Sequence, residues 1–146
     1  MKRLLGACAL VLGAGAGWAQ TVGECDWRAG ADALVEPWDE NTALFSQGKV
    51  RIALLDRVEP AAAAFYVLIL SPPYNELGER QCRILSRREG MGFAGLSFDT
   101  LEADYDPAVG LIFTMQAKEF DGLDYHPATL RFTVNQATGE IAGRIE

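Results

Sequence analysis

Four carboxylates fall within eight residues of this chain: Asp99, Glu102, Asp104 and Asp106. Carboxylates held close together can raise one another's pKa for acid–base work, or share a hard cation such as calcium. The spacing serves neither use. Glu102, Asp104 and Asp106 stand two apart in turn, but no bidentate Glu follows where a calcium loop of the helix–loop–helix type needs one. The reading the pattern supports is an acidic face at a strand end, which keeps a sheet edge soluble and suits a cationic partner. A hydrolase built on this cluster is the alternative that needs a concave site around it.

A nucleophilic triad would have to take its base from His126, the one histidine in the chain. It sits in "LDYHPA", a polar link, and no G-x-S-x-G elbow exists. Arginines cluster at Arg80, Arg83, Arg87 and Arg88, on the strand before the acidic one. If those two strands pair, a basic row faces an acidic row. Read otherwise, Arg83 and Arg87 form a cradle for an anion. The loop "SPPYNELGER" is stiffened by Pro72 and Pro73 and carries Tyr74 and Glu76 at its tip. Such a loop loses little entropy on docking, so it is a second candidate for partner binding.

Cysteine use follows from compartment. "MKRLLGACALVLGAGAGWA" has a basic start at Lys2 and Arg3, an uncharged stretch from Leu4 to Ala16, and small residues before Gln20. That is the pattern of an export signal, cleaved after Ala19, and it is too short for a spanning helix. Cys8 goes with it. Cys25 and Cys82 remain and are expected to pair in an oxidising periplasmic or extracellular space. The closed loop spans 57 residue steps, which a chain-entropy argument puts at about 4 kcal/mol of stabilisation. With one histidine and two paired cysteines, no zinc site and no cofactor is expected. The whole chain carries 13 basic and 20 acidic residues. Without Lys2 and Arg3 the balance is 11 against 20, a net charge of −9. Such a surface repels nucleic acid and anionic lipid, and the partner it suits is an envelope or secreted protein.

The elements that must position these residues read as strands. Residues 20–146 make one domain, with a mixed N-terminal segment over 20–48 and the sheet over 49–146. "DENTALFSQGK" predicts one short helix ended by Gly48. Beyond it the period is two. Val50, Ile52 and Leu54 share a face, and so do Leu111, Phe113, Met115 and Ala117, and Leu130, Phe132 and Val134. Phe65–Leu70 is apolar on both faces, so it is the central strand and must be covered on both sides, with Pro72-Pro73 ending it. Asn75 with Gly78, Asp106 with Gly110, and Asn135 with Gly139 mark turns. The sum is about seven antiparallel strands in a meander, curling into a small barrel or a two-layer sandwich. If the sheet closes, Phe65, Val67, Ile69, Phe98, Phe113, Met115 and Phe132 could line a pocket for a small apolar ligand. The leading functional expectation is a non-catalytic binding module of the cell envelope. A carrier of such a ligand and a hydrolase are the alternatives.

Overall fold

The computed structural model describes residues 19–146. The expected export signal therefore lies, apart from Ala19, outside the described residues. Nine strands follow in order: β1 (Thr21–Glu24), β2 (Thr42–Phe45), β3 (Val50–Asp56), β4 (Phe65–Tyr74), β5 (Arg80–Ser86), β6 (Gly95–Asp106), β7 (Gly110–Phe120), β8 (Tyr125–Val134) and β9 (Ile141–Ile145). They form two antiparallel sheets, of order β1-β5-β4-β3-β2 and β6-β7-β8-β9.

One core lies between the sheets. The first contributes Val50, Ile52, Val67, Ile69 and Leu85, and the second Phe113, Met115, Leu130, Phe132 and Val134. Each set is every second residue of its strand, as a period-two pattern requires. Phe113 stacks on Phe132 at 4.9 Å between ring centroids and takes the edge of Phe45 at 4.8 Å. The sheets do not close into a barrel. At one side the start of the chain links them, because Ala19 bridges Arg144 and the Gln20 N–H donates to the Gly143 carbonyl at 2.9 Å. At the other, β2 and β6 end their sheets with no further strand among the described residues.

Strand β4 is the central strand of its sheet, as its composition demands. Val67 and Ile69 enter the core between the sheets, while Tyr66 and Leu68 point to the opposite face. That outer face is covered by the segment after β1. Cys25, Ala29, Ala33 and Leu34 pack there with Leu55, Ile84 and Cys82. Cys25 and Cys82 are joined in a disulfide with Cα atoms 5.4 Å apart. Cations finish the cover: Arg28 lies over the Tyr66 ring at 5.5 Å, and Arg57 lies over Trp27 at 5.0 Å while bonding Asp32 at 3.0 Å.

Several expectations are corrected. The short helix over Asp39–Gly48 is instead β2 and the turn that returns it to β3. As a strand, Thr42–Phe45 places Ala43 and Phe45 against the core and leaves Leu44 exposed. Ser46, Gln47 and Gly48 are all left-handed, at φ of 51°, 59° and 83°, so Gly48 belongs to a hairpin turn and not to a helix end. Only three-residue 3-10 turns are helical among the described residues. The N-terminal segment thus supplies both outer strands of the first sheet, which brings the strands among the described residues to nine where about seven were expected. Pro72-Pro73 interrupts β4 without ending it. The ladder to β5 shifts between Ser71 and Tyr74, so the two prolines sit in a bulge where no N–H is needed. Finally, β5 and β6 lie in different sheets, so the arginine row and the carboxylate row are not cross-strand partners.

Candidate functional site

Strand β6 is the long free edge of the molecule. It pairs with β7 on one side, first over Gly95–Ser97 and then, past a bulge, over Glu102–Asp106. Thr100 builds the bulge: its hydroxyl donates to the Ser97 carbonyl at 2.7 Å and accepts the Gln116 N–H at 2.9 Å. Beyond the bulge the register sets Ala103 opposite Phe113 and Tyr105 opposite Leu111, both core residues. Directly paired residues share a face. Ala103 and Tyr105 therefore continue the inner face past the point where the first sheet covers it, and both are exposed. Glu102, Asp104 and Asp106 alternate with them on the outer face and are also exposed, as is Asp99 in the bulge. The Asp104 carboxylate accepts the N–H of Tyr105 at 2.7 Å, and Asp106 accepts the N–H of Ala108 in the turn at 2.8 Å. Among the described residues no three His, Cys, Asp or Glu side chains gather as a cation site.

The Pro-braced loop projects from the end of the first sheet. Asn75 Oδ1 accepts the N–H groups of Leu77 and Glu79 at 3.0 and 2.9 Å, and Gly78 turns at φ +80°. Its base is fixed by Gln81, whose side-chain amide reaches Ser71 Oγ, the Pro72 carbonyl and, from the other sheet, the Gly139 carbonyl, all within 3.1 Å. Pro72 is buried there; Pro73, Tyr74 and Glu76 are exposed, and Leu77 at the tip is 83% exposed.

The two arginines of the expected cradle stand apart in their pairing. Arg83 reaches Glu24 on β1 at 3.4 Å, and Arg87 binds Glu119 on β7 at 2.5 Å. Arg87 instead shares a cleft with Arg88, Lys118 and His126 at the end of the sandwich where β7 turns into β8. His126 lies within β8, not in a link, with Nε2 2.7 Å from Asp121 Oδ2. Asp121 also accepts the N–H groups of Asp124 and Leu123. Those two backbone donors, and then His126, hold its carboxyl down at about 2. Cys25 and Cys82 are spent on the disulfide, so neither is a thiol partner for His126.

Sequence reading missed the grouping of Arg88, Met91 and Lys118, because the first two stand in the connection after β5 and Lys118 stands on β7 of the other sheet. The one signal available was Gly92 and Gly95, whose missing side chains let backbone and the Lys118 stem approach. No helix among the described residues is long and apolar enough to cross a membrane. No protein-family model, characterised protein or solved structure matches this chain.

Proposed function

We propose that this protein is a non-catalytic binding module of an oxidising, extracytoplasmic compartment, and that it docks a basic partner protein along β6. One observation carries the reading: Glu102–Asp106 is an unpaired strand edge in which carboxylates alternate with exposed apolar positions. An extended partner segment can add to such an edge, with main-chain hydrogen bonds giving affinity and alternate side chains giving choice of partner. A segment alternating Lys or Arg with apolar residues meets Glu102, Asp104 and Asp106 on one face and Ala103 and Tyr105 on the other. A second copy of this chain brings carboxylates against carboxylates and is rejected, so the same charges that prevent self-pairing select a cation. Asp104 caps the Tyr105 N–H in the free state. A partner carbonyl that takes this N–H releases the carboxylate to pair with the partner's cation.

Two features support this reading over the alternatives. The space between the sheets is filled by its own side chains, with Phe93, Phe113 and Phe132 at most 1% exposed, which speaks against a ligand carried inside. The carboxylates of β6 stand on an exposed strand edge. The disulfide supports the oxidising compartment.

The test uses a synthetic peptide of alternating Lys and Val. It is expected to protect backbone amides within Glu102–Asp106 from hydrogen exchange. Binding should fade as salt rises toward 1 M, where the screening length is about 3 Å. Charge reversal at Glu102, Asp104 and Asp106 to Lys should abolish it. Protection elsewhere, or binding that survives the reversal, refutes docking at β6.

A further inference from the structure

The cleft beside His126 has a volume of about 810 Å³ and takes its walls from the β3–β4 and β5–β6 connections and from β7, β8 and the turn between them. That is within the range of small-molecule sites, ~300–1,000 Å³. Its charges are not all spoken for. Arg87 is matched by Glu119, and His126 rests on Asp121. Arg88 has only the Met91 sulfur, 3.2 Å from its Nε, and neither Arg88 nor Lys118 has a carboxylate partner among the described residues. Two uncompensated cations thus share one concavity in a chain whose net charge is −7. The rest of the wall is largely apolar, with Ala62, Ala63, Met91, Ala94 and Phe120.

Lys118 is held in place. Its stem lies across Gly95, close enough that a Cβ there would sit 3.3 Å from the Lys118 Cβ and Cδ. It also lines a second, smaller cleft of about 330 Å³, with Phe65, Leu96 and Tyr125. The two clefts share Ala94 and Lys118 and so adjoin along that wall, a cationic trough with an apolar neighbour.

We propose that this trough binds an amphipathic monocarboxylate, with its carboxylate on Arg88 and Lys118 and its apolar body running past Lys118 toward Phe65, Leu96 and Tyr125. A guanidinium fork matches a carboxylate in plane, and Lys118 adds a point charge. Glu119 and Asp121 in the same wall oppose anions of higher charge, so a phosphate dianion fits less well. The site is distinct from the β6 edge and does not depend on it.

The experiment titrates the protein, expressed from its full sequence, with decanoate below its micelle concentration, following backbone amide shifts by NMR. Decanol serves as the uncharged arm, and acetyl-leucyl-phenylalanine as a carboxylate carried on a peptide. Saturable decanoate shifts centred on Ala94, Gly95 and Lys118 are expected. The double variant Arg88→Ala, Lys118→Ala should lose about tenfold or more in affinity, the size of one charge-assisted hydrogen bond. Arg51→Ala, on an exposed position of β3, should lose nothing. Both variants alter surface side chains, and dispersed amide spectra verify folding before titration. Tighter binding of the dipeptide supports the site and assigns it to peptide C-termini. Equal affinity for decanol, unchanged affinity in the double variant, or no saturable shift at the trough overturns the proposal.

Discussion

Asp121 shows how one side chain can organise a turn and report on it. Its carboxylate accepts the N–H groups of Leu123 and Asp124 at 2.8 and 2.9 Å and holds His126 at 2.7 Å. The ionised form is what these donors favour, so its pKa falls from 3.8 to about 2. A carboxyl depressed in the folded state stabilises that state above its unfolded value and ceases to do so as pH falls through the folded one. The β7–β8 turn should therefore keep its order at pH 5 and loosen between about pH 4 and pH 2. Amide shifts of Leu123 and Asp124 should titrate together, with a midpoint near 2. In Asp121→Asn that transition should vanish, and a midpoint near 4 in the native protein would show that the two amides do not bind the carboxylate.

At the scale of elements, the β5–β6 connection packs closely against the start of β4. The Gly92 N–H donates to the Ala63 carbonyl at 2.9 Å, and Phe93 pairs with Phe65 in an isolated bridge. A Cβ on Gly92 would come within 2.5 Å of the carbonyl oxygens of both Ala63 and Phe65. Backbone cannot yield as a side-chain tip can, so Gly92→Ala should cost about 1–3 kcal/mol in denaturant unfolding. Gly23→Ala, where nothing lies within 4 Å, serves as the comparison and should change far less.

The sequence made the long strands readable because they bury every second residue, and Leu111–Lys118 of β7 and Leu130–Val134 of β8 match that alternation. The double-sided apolar run of β4 likewise announced two layers of cover. The stretch Thr42–Phe45 was misread because four residues show little period, and a glycine after them ends a helix or turns a hairpin equally well. What decides is tertiary: Phe45 opposite Val50, with its ring on Phe113. The acidic edge was legible as residues but not as an edge, since nothing in "LEADYD" says that β6 pairs on one side only. The trough was illegible because Arg88 and Lys118 are 30 positions apart and meet only when the sheets face each other.

Over the whole molecule, the disulfide and the two-sided cover of β4 act together. Cys25–Cys82 ties the covering segment to the strand beside β4, closing a loop of 57 steps. Replacing both cysteines with alanine should lower unfolding free energy by up to about 4 kcal/mol. The core between the sheets should persist, and the segment around Trp27 and Ala33 should exchange its amides first. Loss of protection in β7 and β8 before that segment would show that the cover is not the weaker unit.

The link between Ala19–Gln20 and β9 sets an order of assembly. Ala19 and Gln20 meet Gly143 and Arg144, and Thr129 exchanges hydrogen bonds with Glu146. Contacts between such distant positions demand the largest loop closure in the molecule and slow the final step. A chain emerging N-terminus first could therefore set β3, β4 and β5 early, yet would leave Ala19 and Gln20 undocked until β9 had formed. Stalling before β9 would leave that side unzipped.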